Sequence, residues 1–404
     1  MIQMRWNSET KRMSPTSSSR SRSATMFDKC RAMSIRQTTS SYWWSSAMLV
    51  VMVSINATGS RAFDVYWNIP TFMCNQYQMN FSSIGPTYEV YQNGNDSFRG
   101  NAISILYDPG KFPALLEKSS TRVLYKRNGG VPQEGNLTEH LDIFRKHMDE
   151  LVTDADFSGV GVIDFESWRP IFRQNFGSLQ PYKDLSMKIE KQRHPNLPPK
   201  WLEAEATRRF ESTGREFMAQ TLLLAKQLRP RAAWGYYAFP YCFNMNGGST
   251  SNGQREDCSA EVQRENDRIQ WLFDDSDIIF PSVYLREKLG AGDRIKLIRG
   301  RVKEAVRMAR RANVQPKPRV LTYIRYVYTD SVKYLTESDW INALNAMKQF
   351  GSDGVILWGS SYDLNNKEKC TGFKSYMDTT LGPILQSLQQ RYIVESLKPR
   401  DFPL

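Results

Sequence analysis

The chain has 404 residues at 40% hydrophobic composition, enough to bury a sizeable core, which excludes a disulfide-stapled mini-domain. Of its net charge of +12, seven units lie in residues 1–62, where nine basic side chains face only Glu9 and Asp28. The rest is mildly basic, which gives no nucleic-acid signature and is compatible with a polyanionic partner or with ordinary solvation.

Residues 1–62 are Ser/Arg-rich, then pass into the apolar run Tyr42–Ile55 and the small and polar residues of Asn56–Ser60. That is the layout of a cleaved secretory signal, so an N-terminal extension with a signal is expected, Met33 being the more typical start. The run falls short of the roughly 18 residues a transmembrane helix needs, and no stable membrane anchor is expected. From Phe63 onward β-branched and aromatic runs alternate with helical patterns. Strands are predicted at Val65–Ile69 and Ala102–Tyr107, then a helix at Leu137–Leu151 and a strand at Val160–Phe165. A helix at Trp201–Leu228 leads to a strand at Ala232–Phe239, and a helix at Glu261–Phe273 to a strand at Ile278–Tyr284. Next come a helix at Asp293–Ala312, a strand at Val320–Tyr326, a helix at Ser338–Phe350 and a strand at Gly354–Trp358. Leu381–Leu404 reads as a final helix and a tail.

Repeated alternation argues for parallel strands joined by crossovers. The expected fold is α/β, a (β/α) TIM-like barrel of about seven strands in one domain, residues 63–390, with 391–404 as a C-terminal tail. No Gly-x-Gly-x-x-Gly follows the early strands, which removes the usual dinucleotide reason for an open sheet. Residues with chemical potential gather at strand ends: Tyr107, Asp108, Asp164, Glu166, Tyr237, Tyr284 and Trp358. In a (β/α) barrel those ends form one rim, where active sites sit.

Beyond Cys30 in the extension, Cys74, Cys242, Cys258 and Cys370 form an even set, which in a secreted chain reads as two disulfides with three possible connectivities. Cys242 and Cys258 bracket a polar Gly/Ser/Asn loop, so a local bridge is the simplest choice. Cys74 then pairs with Cys370, tying the start of the domain to its end. There is no Cys-x-x-Cys pair, and the only histidines are His140, His147 and His194, so no metal site is expected. His140 and His147, seven apart on a predicted helix, read as surface residues. Sequons at Asn80, Asn95 and Asn136 would be glycosylated in the secretory pathway.

Without a nucleophile elbow, a catalytic cysteine candidate or a metal cluster, carboxylates are the leading chemical groups. Asp164 and Glu166 close the apolar run Val160–Ile163, and residues i and i+2 of a strand share a face. Two carboxyl groups that close raise each other's proton affinity, so one stays protonated while the other is ionised, as a glycosidase acid and its anionic companion require. Asp154/Asp156, Glu203/Glu205 and Asp275/Asp277 share the spacing but lack the strand, and read as solvated faces or loop caps. Aromatic and hydroxyl residues close three other strands, at Trp234–Pro240, Ser282–Tyr284 and Ile356–Ser361, a composition suited to stacking sugar rings.

Several motifs resemble glycoside hydrolase family 56, the hyaluronidases, in its insect venom branch. They are Phe72-Met-Cys74, Ile105-Leu-Tyr-Asp-Pro-Gly110, Arg127-Asn-Gly-Gly-Val-Pro-Gln133, Gly161-Val-Ile-Asp-Phe-Glu-Ser-Trp-Arg-Pro170, Trp234-Gly-Tyr-Tyr237, Pro281-Ser-Val-Tyr-Leu-Arg286 and Trp358-Gly-Ser-Ser361. The match runs in order over Phe63–Leu388. The resemblance implies a distorted seven-stranded (β/α) barrel, hydrolysis of the β-1,4 bonds of hyaluronan with some activity on chondroitin, and no cofactor. It assigns Glu166 as proton donor, Asp164 as the carboxylate positioning the substrate acetamido group, and Tyr237, Tyr284 and Trp358 as the aromatic frame. Tyr107, Asp108, Arg169, Ser282, Arg301, Ser360 and Ser361 match cleft residues, and the cysteines match two family bridges, 74 with 370 and 242 with 258. Hyaluronan and related glycosaminoglycans are the expected partners of a monomer. A longer Cys242–Cys258 loop, an unusual Thr322–Asp330 strand end and the N-terminal extension depart from the pattern. A chitinase-like hydrolase would need acids at Gly159 and Val162, and an inactive hyaluronan-binding paralogue has no reason to keep the catalytic set.

Overall fold

The computed structural model describes residues 63–117, 123–245 and 256–388, and the predicted signal, the C-terminal tail and most of the Cys242–Cys258 loop lie outside them. Its elements run in the order β1 (Asp64–Asn68), α1 (Ile84–Tyr88), β2 (Ile103–Tyr107), β3 (Ala114–Glu117), β4 (Leu124–Arg127), α2 (Leu137–Leu151), β5 (Val160–Asp164), α3 (Gln180–Arg193), α4 (Pro199–Leu228) and β6 (Ala233–Tyr236). They continue with α5 (Ala260–Arg268), α6 (Gln270–Asp275), β7 (Ile278–Ile279), α7 (Ala291–Arg311), β8 (Arg319–Arg325), α8 (Glu337–Gln349), β9 (Gly354–Trp358) and α9 (Lys367–Tyr376).

Apart from the antiparallel hairpin of β3 and β4 the pairing is parallel, in two sheets ordered β2-β5-β6 and β1-β9-β8-β7. The sheets meet where β6 runs on beside β7, through a bridge between Tyr237 and Phe280 and a 2.8 Å bond from Asp277 N to Trp234 O. Gly235 permits that approach, since a Cβ there would lie 2.0 Å from Ile278 O. Every residue of β9 is buried, as expected of parallel strands covered on both faces.

Helices cover the two halves with separate apolar clusters. Phe112, Phe165, Trp168, Phe210 and Phe217 pack under α2 and α4, with Trp168 edge-on to Phe165 at 4.8 Å and to Phe210 at 5.7 Å. Trp340, Phe373 and Tyr326 fill the space under α8 and α9. Asn136 and Thr336 cap α2 and α8 by accepting from Glu139 N and Asp339 N, at 3.0 and 3.2 Å, which satisfies donors a helix start leaves open. Both disulfides pair as expected, Cys74–Cys370 and Cys242–Cys258, with Cα–Cα separations of 5.6 and 5.0 Å.

Several features differ from the sequence expectation, which lacked the β3–β4 hairpin and helix α9 and ran α5 and α6 together as one helix. The strand expected at Ile278–Tyr284 pairs continuously only over Ile278–Ile279, because Pro281 has no N–H for the ladder and an isolated bridge at Ser282 resumes the pairing with Tyr323. Helix α3 escaped notice because its buried face includes Ser186 and Glu190 beside Tyr182 and Ile189, which blurs the apolar period. His140 is not a surface residue: it is fully buried against Phe112 and Phe217. The three sequon asparagines are exposed. Among the described residues no helix is long and apolar enough to cross a membrane.

Candidate active site

The C-terminal ends of the parallel strands carry the site. Asp164 is the last residue of β5, and Glu166 follows two residues on, after the buried Phe165. The two carboxyl groups share a hydrogen bond. Burial, the neighbouring charge of Glu166 and that of Asp108 push Asp164 well above the usual carboxylate range, in that order. Glu166 is also raised by burial, with Arg169 and the bond to Asp164 opposing. Although crowded by protein, Glu166 keeps an exposed face, the geometry of a group lining an open cleft. The shared bond raises Asp164 and lowers Glu166, the directions of a donating Asp164 and an accepting Glu166. Asp164 Oδ1 is buried without a hydrogen-bond partner among the described residues, a cost that persists in functional sites.

Asp108 holds the field behind the pair. Its N–H donates to Asp164 O at 2.7 Å, and its carboxylate takes two bonds from Arg127, at 2.5 and 2.9 Å. Asp108 has φ +45°, a left-handed conformation that aspartate tolerates better than most residues. The turn after it is clamped from α2: His147 Nδ1 accepts from Gly110 N and His140 Nδ1 from Lys111 N, both at 2.9 Å. Gly110, at φ +78°, has no alternative, since a Cβ would lie 2.7 Å from the His140 ring. His140 Nε2 bonds Thr221 Oγ1 at 2.8 Å. Burial, then Arg127, lower its pKa to about 3, so it stays neutral and can accept.

Opposite the acids stands an aromatic wall. Tyr284 stacks on Trp358 at 5.5 Å and 14°, and Trp358 Nε1 donates to the Tyr107 hydroxyl at 3.0 Å. Tyr237 donates to Ser282 Oγ at 3.2 Å and lies edge-on to Tyr323 at 5.1 Å. Burial, first of all, raises the phenols of Tyr107, Tyr237 and Tyr284, so they remain proton donors. Arg169 is enclosed by aromatic rings, its guanidinium 4.4 Å from the Tyr241 centroid and 5.0 Å from that of Phe243, and it donates to Gln174 O at 2.5 Å.

The remaining expected residues stand further back. Arg301 reaches from α7 to donate to Ser282 O at 2.6 Å, and burial lowers its pKa to about 10. Ser360 is buried and caps a short turn, its Oγ accepting from Tyr362 N at 3.2 Å while its own N–H donates to Asp363 at 2.9 Å. Ser361 opens that turn. Four contributors were not singled out from the sequence as site residues. Arg127 lay within a quoted motif. His140 and His147 gave no signal, because acceptance from a distant backbone has no sequence spacing. Tyr323 is buried with a hydroxyl that has no partner among the described residues and feels the charge of Asp164; its place in the middle of a predicted strand was the available clue.

Comparison with known proteins follows the same lines. A family model described as glycoside hydrolase 56, hyaluronidase, matches residues 54–393. The chain is 47% identical over 345 residues to "Hyaluronidase Tab y 2.0101" of Tabanus yao, covering 85% of this chain and 97% of the relative. It is 49% identical over 329 residues to a hyaluronidase of Apis mellifera, covering 81% and 85%. Its structure is similar to the crystal structure of bee venom hyaluronidase, with a TM-score of 0.75 and 49% identity over 80% of this chain and 99% of that one. The crystal structure of that enzyme in complex with a hyaluronic acid tetramer matches with a TM-score of 0.77 and 48% identity, over 81% and 99%.

Proposed function

The chain belongs to glycoside hydrolase family 56, the hyaluronidases, and from that premise we propose that it is a secreted endo-acting enzyme hydrolysing the β-1,4 bonds of hyaluronan, with some action on chondroitin. The observation that carries the reading is the proton-sharing pair of Asp164 and Glu166 facing Tyr237, Tyr284 and Trp358. One carboxyl is a general acid, and the aromatic wall suits a sugar ring.

The mechanism is retaining and substrate-assisted, one of the exceptions to the rule of two reacting carboxylates. The substrate's acetamido oxygen attacks C1 as the bond from C1 to the leaving oxygen breaks, and Glu166 gives its proton to that oxygen. That proton is the pair's single one, passed beforehand from Asp164 to Glu166 through their shared bond, so Asp164 stands anionic against the positive oxazolinium-like ring and Glu166 is ionised once the leaving oxygen has taken it. Tyr237, Tyr284 and Trp358 hold the acetamido group in line. Glu166 then takes a proton from water, which attacks C1 and restores the acetamido group. Arg169, Tyr107 and Asp108 line the cleft, while Ser282, Arg301, Ser360 and Ser361 support its walls.

The proposal extends to architecture and setting: the seven parallel strands close as a distorted barrel between β1 and β2, residues 63–390 are one catalytic domain and 391–404 a tail. Residues 1–62 direct secretion, Asn80, Asn95 and Asn136 carry glycans, and the enzyme acts as a monomer. Support for the glycan at Asn136 comes from its side chain: Oδ1 makes the helix cap, and the linkage would use the nitrogen.

The experiment is digestion of hyaluronan by the secreted protein, followed by viscosity and by NMR of the first product anomers. Viscosity falls and the β-anomer appears first. De-N-acetylated polymer resists cleavage; brisk cleavage of it, or inverted product, overturns the mechanism, and undiminished viscosity overturns the activity.

A further inference from the structure

A cavity of about 760 Å³ lies outside the catalytic cleft, between the exposed face of α4 and the junction of α5 with α6. None of the pair, the aromatic wall or the Asp108 loop lines it, but it starts at Pro170 and Ile171, directly after Arg169 in the chain. Its volume falls in the range of ligand sites. Four basic side chains, Lys200, Arg208, Arg215 and Arg268, line it against Glu203 and Glu211. Arg268 is paired with Glu211, whose other oxygen accepts from Phe172 N at 2.9 Å, and Arg208 is paired with Glu205 outside the lining. Lys200 and Arg215 against Glu203 therefore leave the groove with a net single positive charge. Trp271 forms part of the wall, with the Arg215 guanidinium 5.5 Å from its ring centroid.

A carbohydrate polyanion needs two things from a protein: cations spaced along its carboxylates, and an indole or phenol on which a pyranose face can rest. This groove supplies both on rigid helices. We propose that it is an auxiliary binding site for an anionic polysaccharide, taking a stretch of the hyaluronan chain that flanks the segment in the cleft. The proposal rests on the hyaluronidase reading for the identity of the polymer. A flanking site tethers long chains and does nothing for a short one, because an oligosaccharide that fills the cleft has no residues left to reach the groove. Its contribution is electrostatic and weakens with salt.

The test compares wild type with Lys200→Glu/Arg215→Glu and with Arg215→Gln, which keeps the side-chain stem over Trp271; thermal melting checks that each is folded. For long-chain hyaluronan the double variant raises KM about fivefold, the loss expected from reversing two exposed contacts, with kcat unchanged. For an oligosaccharide spanning only the cleft neither constant moves. Arg215→Gln gives a smaller KM rise of the same selectivity. An equal rise for both substrates, or no rise for the polymer, overturns the proposal. Fluorescence anisotropy of labelled long-chain hyaluronan, with the same substitutions placed in Glu166→Gln, reads the groove without turnover. If wild type fails to cleave hyaluronan the functional reading falls, while loss of salt-sensitive binding in the charge-reversed protein still supports the groove, and unchanged binding overturns it.

Discussion

Two aspartates, the half-buried Asp164 at the end of β5 and the buried Asp363 just beyond β9, occupy comparable places and have opposite surroundings. Asp363 takes bonds of 2.6 and 2.9 Å from Arg325 and another from Ser360 N, and Arg325 in turn lies 5.8 Å from the Trp358 ring centroid. Its charge is matched and its oxygens are satisfied, so it holds the aromatic wall. Asp164 has no basic side chain among the causes that set its proton affinity, faces two other carboxylates and keeps one oxygen unpartnered. The fold stabilises one carboxylate and leaves the other in need of a proton. Satisfaction makes scaffold, and its absence makes chemistry.

The comparison breaks most visibly at Asp363. Asp363→Ala leaves a buried guanidinium uncompensated and should cost about 3–5 kcal/mol, read as a large fall in the denaturation midpoint. A loss below 1 kcal/mol would show that Arg325 finds water or another acceptor. At the other carboxyl site the loss is catalytic: Glu166→Gln should keep its melting temperature and lose at least about 100-fold in turnover, and a well-folded variant with wild-type turnover removes Glu166 from the mechanism.

Asp164→Asn sharpens the contrast, because activity and stability should move in opposite directions. Asp164 stays protonated in the fold at pH values where the unfolded chain ionises it, so folding loses stability as pH rises from about 4 toward the folded value. Asparagine has no proton to lose. The variant should be inactive yet melt no lower than wild type at pH 7 and show a flatter melting profile between acid and neutral pH; a melting point several degrees lower contradicts the raised proton affinity. In wild type, activity should decline as pH climbs through the upper of the pair's raised values, since Glu166 then has no proton to give.

The smallest effect belongs to the clamp on the Asp108 turn. His147→Leu orphans the Gly110 N–H, expected to cost about 1 kcal/mol, and loosens Asp108, lowering kcat with little change in KM. His147→Asn restores an acceptor near the same point and should recover most of both. Equal behaviour of the two variants would mean that the ring packs rather than positions.

How much was legible in advance differs between the two aspartates for a physical reason. Asp164 and Glu166 were found because strand geometry puts i and i+2 on one face and because the run before them is apolar; all of that information is local. Helix α2 was placed at its observed bounds from its helical pattern alone. Asp363 and Arg325 pair across 38 positions, and His140 reaches Lys111 across 29. Neither leaves a periodicity, which is why His140 read as surface.

The sequence by itself determined the alternation of strand and helix, the acidic pair at a buried strand end, the family motifs and the even set of cysteines, because each is a pattern among near neighbours or a count. Only the tertiary structure decided which carboxyl holds the first proton, which arginine is locked to an aspartate and which polar atoms stay unsatisfied. Those depend on desolvation and on charges brought together from β2, β5, β8 and the turn after β9, and proton affinity is set by the whole of that environment rather than by residue type.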